Sequence, residues 1–146
     1  MAFVLEEEGA MFTGDNVLGH GTAVFEDLGV YLQSLEAMKG EFSGRAYPGH
    51  GDWIADGRAR AEEYIQHRQM REEEVFGVLR DEGGEGECGE GRTPMEVVKV
   101  VYRDVPESLH GPAEGSVVQV LQKLEGEGKV RRKEDGRWAV FKKATL

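Results

Sequence analysis

The chain has 146 residues, which suits one modest domain or two small units, and its 39% hydrophobic content is enough for a packed core. Its formal net charge of −10 argues against non-specific nucleic-acid binding by the chain as a whole. No apolar run approaches the length of a membrane span, and the acidic residues that follow Leu5 are unlike a secretory signal.

Cysteine usage indicates the compartment. A single cysteine, Cys88, excludes an internal disulfide and fits a reducing environment, and its Gly/Glu-rich surroundings are typical of an incidental thiol. We therefore expect an intracellular protein, most simply a cytoplasmic one, or a mitochondrial one if a targeting segment lies upstream.

The first part of the chain predicts a β-helix-β arrangement. Residues 2–5 and 10–13 are short β-prone runs whose polar connection ends in Gly9, as in a hairpin. A helix is predicted over about 25–39, because apolar residues recur there at helical spacing before Gly40: Phe25, Leu28, Tyr31, Leu32, Leu35 and Met38. Residues 45–47 form a brief strand, so two strand ends can meet at one edge of a sheet.

Two side chains with metal-binding chemistry follow these strand ends. Asp15 comes directly after the second strand, and His50 stands in a Pro-Gly-His-Gly turn after the third. The aspartate is more simply explained as turn chemistry with Asn16, and a lone histidine in such a turn is commonly an ordinary surface residue. On the residues alone, both interpretations stay open.

The middle of the chain predicts a long helix and then a linker. Asp56 can cap a helix over about 57–79, with Ala61, Tyr64, Ile65 and Val75 as its buried candidates. Residues 66–74 are highly charged, so His67 is interpreted as a surface residue on a solvated face. Residues 81–92 combine glycines with acids, which predicts a mobile linker between units at 1–80 and 93–146.

The last part of the chain predicts a winged-helix-like unit. Thr93 and Pro94 suit an N-cap and first helical position, and a second helix is expected over about 112–125. Residues 129–133 and 137–141 are predicted to be strands joined by an Asp-Gly turn. The predicted class is therefore an α/β unit followed by a small α+β unit.

The terminal hairpin is locally basic, which suggests contact with phosphates. Residues 129–143 contain only two acids but seven basic residues, which are Lys129, Arg131, Arg132, Lys133, Arg137, Lys142 and Lys143. The helix in the usual recognition position, however, carries Glu114 and Glu125 among glutamines and one lysine. A packing or substrate-side module is the alternative to nucleic-acid binding.

Four segments together resemble a known family. They are residues 12–22 (FTGDNVLGHGT), 24–28 (VFEDL), 47–51 (YPGHG) and 64–68 (YIQHR). They are similar to the C-terminal half of a metallo-β-lactamase-fold hydrolase of the beta-lactamase-like protein 2 type, which includes fungal polyketide-cluster thioesterases. The resemblance covers nearly the whole chain, since that group also ends in a small winged-helix-like domain.

The resemblance implies a site with two zinc ions. Asp15 would bridge both metals, His50 would bind the second, and His20 would be either a substrate-side residue or a plain loop residue. Such metals turn water into hydroxide near neutral pH and polarise a carbonyl or phosphoryl group. The family's His-x-His-x-Asp-His signature precedes the matched region and does not occur here.

Two functional hypotheses follow. The chain is either the C-terminal part of a zinc-dependent hydrolase that acts on an acyl thioester or an RNA phosphodiester, or a non-catalytic module that binds nucleic acid or a partner chain. With two metal ligands only, we expect weak zinc binding and little activity from the isolated chain. We also expect an exposed sheet edge and apolar surface, through which the chain could self-associate.

Overall fold

The structure is a computed structural model that describes residues 1–20, 23–81 and 89–141. It contains two compact units, Met1–Gln69 and Met70–Leu146. The division lies inside a long helix, whereas the sequence suggested residues 81–92. That domain boundary stays a prediction, because residues 82–88 of the linker, including Cys88, lie outside the described part.

The first unit is built on a three-stranded sheet. Strand β1 (Phe3–Leu5) pairs antiparallel with β2 (Ala10–Gly14), which confirms the predicted hairpin. β2 pairs in parallel with β3 (Ala46–Pro48), so the β-helix-β arrangement is also confirmed. The parallel pairing brings the carboxyl ends of β2 and β3 to the same edge of the sheet.

Helix α1 (Leu28–Glu41) connects the two parallel strands and begins later than predicted. It begins there because the carboxylate of Asp27 accepts a hydrogen bond from the Val30 N–H at 2.8 Å and caps the first turn. Phe25 therefore lies outside the helix. The predicted apolar stripe is otherwise present, with buried Leu28, Tyr31, Leu35 and Met38.

Helix α2 (Gly57–Arg80) has the predicted cap and three of the four predicted buried residues, whereas Tyr64 is only half-buried. The Asp56 carboxylate accepts the Ala59 N–H at 2.9 Å. Ala61, Ile65 and Val75 are buried, and His67 is exposed as expected. Residues up to Gln69 belong to the first unit and the rest to the second.

The second unit has the helices and hairpin of a winged helix. It comprises α3 (Pro94–Val101), α4 (His110–Gly126) and the antiparallel strands β4 (Val130–Arg132) and β5 (Trp138–Val140). Thr93 is the N-cap and Pro94 the first residue of α3, as the sequence suggested, and Thr93 also forms a complete capping box with Glu96. Arg92 adds a bridge to Trp138 through two backbone hydrogen bonds, which strand propensities did not predict.

His110 holds the connection between α3 and α4, a role that the sequence did not indicate. Its buried ring places Nε2 at 3.2 Å from the Tyr102 carbonyl and 3.0 Å from the Val105 carbonyl. Because both partners are acceptors, Nε2 carries the proton and donates to them. The residue therefore closes the turn, and α4 begins at His110 instead of residue 112.

No helix in the described ranges is long and apolar enough to cross a membrane. Two of the predicted basic residues, Lys142 and Lys143, lie outside those ranges.

Candidate metal centre

Asp15 and His50 meet at the carboxyl ends of β2 and β3. Asp15 directly follows Gly14, the last residue of β2, and His50 is the second residue after β3. The Asp15 Oδ1 atom lies 3.4 Å from the His50 Nε2 atom, and the two side chains are 75% and 69% exposed. The strand order of the sheet therefore brings together two groups that lie far apart in the sequence.

The loops that carry these residues are joined by their backbones. The Gly49 N–H donates to the Gly14 carbonyl at 2.8 Å, and the Gly19 N–H donates to the His50 carbonyl at 2.9 Å. Each bond runs from one loop to the other, so the two loops hold each other in register. The side chains of Asp15 and His50 are therefore exposed to solvent, whereas the backbone that carries them is held by hydrogen bonds.

Glycines permit this close approach. A Cβ atom at Gly19 would lie 2.3 Å from the Asp52 carbonyl oxygen, and one at Gly49 would lie 2.8 Å from Asp15 Oδ1. Gly51 has φ of +83°, in the region that favours glycine. The sequence marked a sharp turn at residues 48–51, but the need for glycine at position 19 appears only in the folded structure.

Side chains from the protein interior hold the loop of Asp15 on its other side. The buried Thr13 hydroxyl donates to the Val17 carbonyl at 2.9 Å, and the Tyr31 hydroxyl donates to the Asn16 carbonyl at 2.7 Å. Sequence reasoning treated Tyr31 only as a core residue. The signal that it missed is general, since a buried tyrosine hydroxyl needs a hydrogen-bond partner.

The donor set suits part of a metal site and does not complete one. A carboxylate oxygen and an imidazole nitrogen are both ligands that zinc accepts, but a structural zinc takes four ligands and a catalytic zinc three from the protein. Among residues 1–20, 23–81 and 89–141, no group of three or more histidines, cysteines or acids is arranged to hold a metal. Asp15 and His50 therefore fit a metal only together with further ligands.

The other histidines do not add to this pair. His20 is exposed in the same loop as Asp15, and its backbone nitrogen lies beside Gly51, whose added Cβ would be 2.8 Å away. His67 is exposed on α2, and His110 donates to two carbonyls in the second unit. A substrate-side role for His20 stays a prediction.

The basic hairpin is partly occupied by contacts within the second unit. Lys129 pairs with Glu127 at 2.8 Å, and Lys133 donates to the carbonyls of Gly89 and Glu90 at 2.9 and 2.8 Å. Arg132 lies over the Trp138 ring at 6.0 Å, and its side chain is exposed together with that of Arg131. Phosphate contact by Lys129, Arg131, Arg132 and Lys133 stays a prediction, for which the two arginines are the better placed.

Comparison with known proteins relates both units to one group. Residues 93–138 match the family described as Beta-lactamase associated winged helix domain. The chain is 42% identical over 139 residues to Lactamase-like protein nscB of Neosartorya fischeri, covering 89% of this chain and 42% of that protein. By these matches the chain is similar to lactamase-like proteins over most of its own length.

Other proteins similar to this chain carry more specific names. It is 47% identical over 132 residues to the Atrochrysone carboxyl ACP thioesterase of Aspergillus chevalieri, covering 89% of this chain and 42% of that protein. It is 44% identical over 126 residues to the Beta-lactamase-like protein 2 homolog of Drosophila melanogaster, covering 85% and 41%. The resemblance seen in the sequence is confirmed.

Solved structures agree on the fold. The chain matches a metallo-beta-lactamase family protein from Thermus thermophilus with a TM-score of 0.66 and 29% identity, over 95% of this chain and 44% of that one. A Beta-lactamase domain protein from Burkholderia ambifaria matches with a TM-score of 0.75 and 22% identity, over 95% and 43%. The chain thus spans less than half the length of the relatives that it matches.

Proposed function

We propose that this chain is the part of a zinc-dependent metallo-β-lactamase-fold hydrolase that supplies Asp15 and His50 to the metal centre. One observation carries the proposal: Asp15 Oδ1 and His50 Nε2 lie 3.4 Å apart at the carboxyl ends of two parallel strands. Turn chemistry explains an aspartate or a histidine at either position, but it does not require the two side chains to meet. A shared cation gives both groups a reason to be exposed and adjacent.

Each residue has a distinct task in this proposal. Zinc, when bound, would polarise the scissile carbonyl or phosphoryl group and lower the pKa of a coordinated water. The Asp15 carboxylate would supply oxygen ligands to the metal, and the His50 ring would supply one nitrogen ligand. The backbone bonds between the two loops keep both donors in place before any metal arrives.

An acyl thioester is the substrate class that we favour. A relative with 47% identity is named a carboxyl ACP thioesterase, and this similarity supports hydrolysis of an acyl thioester before that of an RNA phosphodiester. The remaining metal ligands would come from polypeptide beyond these 146 residues. We accordingly infer that the chain by itself has little hydrolase activity.

Zinc affinity and thioesterase turnover of the 146-residue chain test this proposal. Four proteins are compared by competition with a chromogenic chelator: the wild type, Asp15→Ala, His50→Ala and His67→Ala, the last being an exposed histidine away from the site. We expect the wild type to bind zinc far more weakly than closed structural sites, which reach about 10–16 kcal/mol. Binding should weaken further in the first two variants and stay unchanged in His67→Ala.

Two results would overturn parts of the proposal. Equal zinc affinity in Asp15→Ala and His67→Ala would remove Asp15 from the ligand set. Tight stoichiometric zinc with thioesterase turnover that is lost in Asp15→Ala would show that the 146 residues are sufficient for catalysis.

The exposed sheet face supports self-association of the isolated chain. β1 pairs only with β2 within the described residues, and Phe3 and Phe12, which are partners in that register, are 62% and 47% exposed. An edge strand whose exposed aromatic side chain lies beside another exposed aromatic side chain favours association with a second chain. We expect concentration-dependent sedimentation that Phe3→Ser reduces and that Val24→Ser, at a 92% exposed position outside the sheet, does not. A monomer at every concentration would contradict it.

The alternative function, a nucleic-acid-binding module, has less support. Lys129 and Lys133 are held by contacts within the unit, which leaves Arg131 and Arg132 as exposed phosphate ligands on the hairpin. A filter-binding measurement with duplex RNA or DNA at low salt would favour this alternative if binding were lost in Arg131→Ala/Arg132→Ala.

A further inference from the structure

Two tyrosines from different helices converge on the backbone of the Asp15 loop. Tyr31 of α1 donates its hydroxyl to the Asn16 carbonyl at 2.7 Å. Tyr64 of α2 donates to the Leu18 carbonyl at 3.3 Å and accepts from the Leu18 N–H at 3.4 Å. Together they bind the residues one and three positions beyond Asp15, so the backbone that carries the Asp15 carboxylate has little freedom to move away from His50.

The ring of Tyr31 is itself fixed by a stack of side chains. The Phe25 ring packs on Tyr31 with centroids 4.8 Å apart and an interplanar angle of 13°. The Arg68 guanidinium lies over the other ring of the pair, 4.8 Å from the Phe25 centroid. Tyr31 is only 5% exposed, so its hydroxyl is directed to the loop without competition from bulk water.

The chemistry of the Tyr31 hydroxyl suits a permanent donor. Burial raises the pKa of Tyr31 to about 12, although the nearby Arg68 charge lowers it and Tyr64 raises it slightly. The phenol therefore keeps its proton near neutral pH. Its bond to the Asn16 carbonyl is a lasting constraint on the loop.

We propose that Tyr31 and Tyr64 are positioning residues that hold the Asp15 carboxylate beside His50 in readiness for a metal. This inference rests on the proposed function, because fixing the loop affects metal binding most if Asp15 is a metal ligand. Residues that hold a metal ligand in place commonly affect metal affinity as strongly as an additional contact to the metal does, because they remove the free-energy cost of orienting the ligand. Neither tyrosine touches the metal or the substrate in this proposal.

The test uses the complete chain and removes single hydroxyl groups. The variants are Tyr31→Phe, Tyr64→Phe and the double variant. The matched control is Tyr47→Phe, because the Tyr47 hydroxyl also makes one hydrogen bond, to Glu8 Oε2 at 2.8 Å, but does not touch the loop. Two quantities are measured at a temperature where all the proteins are folded: zinc affinity, and the hydrogen-exchange rates of the backbone amides of residues 16–19.

We expect Tyr31→Phe and Tyr64→Phe each to weaken zinc binding about three- to tenfold, and the double variant to weaken it further. The amides of residues 16–19 should exchange faster in the same variants. Tyr47→Phe should change neither quantity. A merely structural role would lower the melting temperature and leave zinc affinity at the wild-type value.

The outcomes separate this proposal from the proposed function. Faster exchange in residues 16–19 in a chain whose wild type binds no zinc would support the positioning of the loop and overturn the metal assignment. Wild-type zinc affinity and wild-type exchange in the double variant would overturn the positioning role while the metal assignment stands. Equal effects of Tyr47→Phe and Tyr31→Phe would also overturn it.

Discussion

Gly19→Ala tests whether the two loops of the candidate site depend on backbone contact. The added methyl carbon would lie 2.3 Å from the Asp52 carbonyl oxygen and 2.5 Å from the Asp52 nitrogen, and both are backbone atoms that cannot rotate aside. The loops must separate by roughly 1 Å to restore an ordinary contact. That movement breaks the bond from the Gly19 N–H to the His50 carbonyl.

The magnitude follows from these two losses. Overpacking costs about 1–3 kcal/mol, and a lost hydrogen bond about 0.5–1.5 kcal/mol, so the first unit should lose about 2–4 kcal/mol of unfolding free energy. Urea denaturation followed through the amide signals of residues 1–69 measures it. The same spectra should show movement of the Gly49 and His50 amides.

Substitution of a control glycine should change the free energy of unfolding in the opposite direction. Gly40 lies in α1 with no atom within 4 Å of an added Cβ, so Gly40→Ala should stabilise the unit by about 0.5–1 kcal/mol through helix propensity. If Gly19→Ala shifts the urea midpoint no more than Gly40→Ala does, the reasoning about loop contact is refuted.

The remaining predictions concern the second unit. His110→Ala leaves the Val105 carbonyl without its side-chain donor, whereas the Tyr102 carbonyl keeps the bond from the Val105 N–H, and we expect a cost of about 1–3 kcal/mol by urea denaturation. An effect no larger than that of exposed Ser108→Ala would refute this role. For Glu127, burial alone would raise the pKa, but hydrogen bonds from lysine ammonium groups hold that pKa below its usual value. Because its pKa is lower in the folded state, Glu127 stabilises the fold fully at pH above the unfolded-state pKa. This stabilisation is lost as the pH falls through the folded-state pKa, so the free energy of unfolding should decline below about pH 4.3. Urea midpoints measured across about pH 3–7 should show a shallower decline in Glu127→Gln, and an unchanged decline would contradict the assignment.

Local patterns in the sequence were sufficient for much of the fold. The N-caps at Asp56 and Thr93 depend on neighbours three positions away, so the sequence could reveal them. The predicted start of α1 was about three residues too early. The apolar pattern continues back to Phe25, but the side chain of Asp27 caps the helix and so determines where it begins. Helix boundaries depend on such local competition more than on periodicity.

The sequence predicted the residue types of the site, but it did not predict the contacts that hold these residues in place. The order of strands placed Asp15 and His50 near one edge of the sheet, and the structure brings them to 3.4 Å. The contacts that hold them span long separations in the sequence, as between Leu18 and Tyr64, which are 46 positions apart. No local pattern encodes a bond of that kind, so the two tyrosines appeared only as apolar core residues.

The most direct test of the metal assignment is a zinc titration of the chain followed through its histidine ring signals by NMR. The four histidines report separately, and His67 and His110 serve as controls within the same sample. We predict that the His50 ring signals move first and that Asp15→Asn greatly reduces this movement. His50 signals that stay fixed throughout the titration, or that move identically in Asp15→Asn, would contradict the assignment of these two residues to one metal centre.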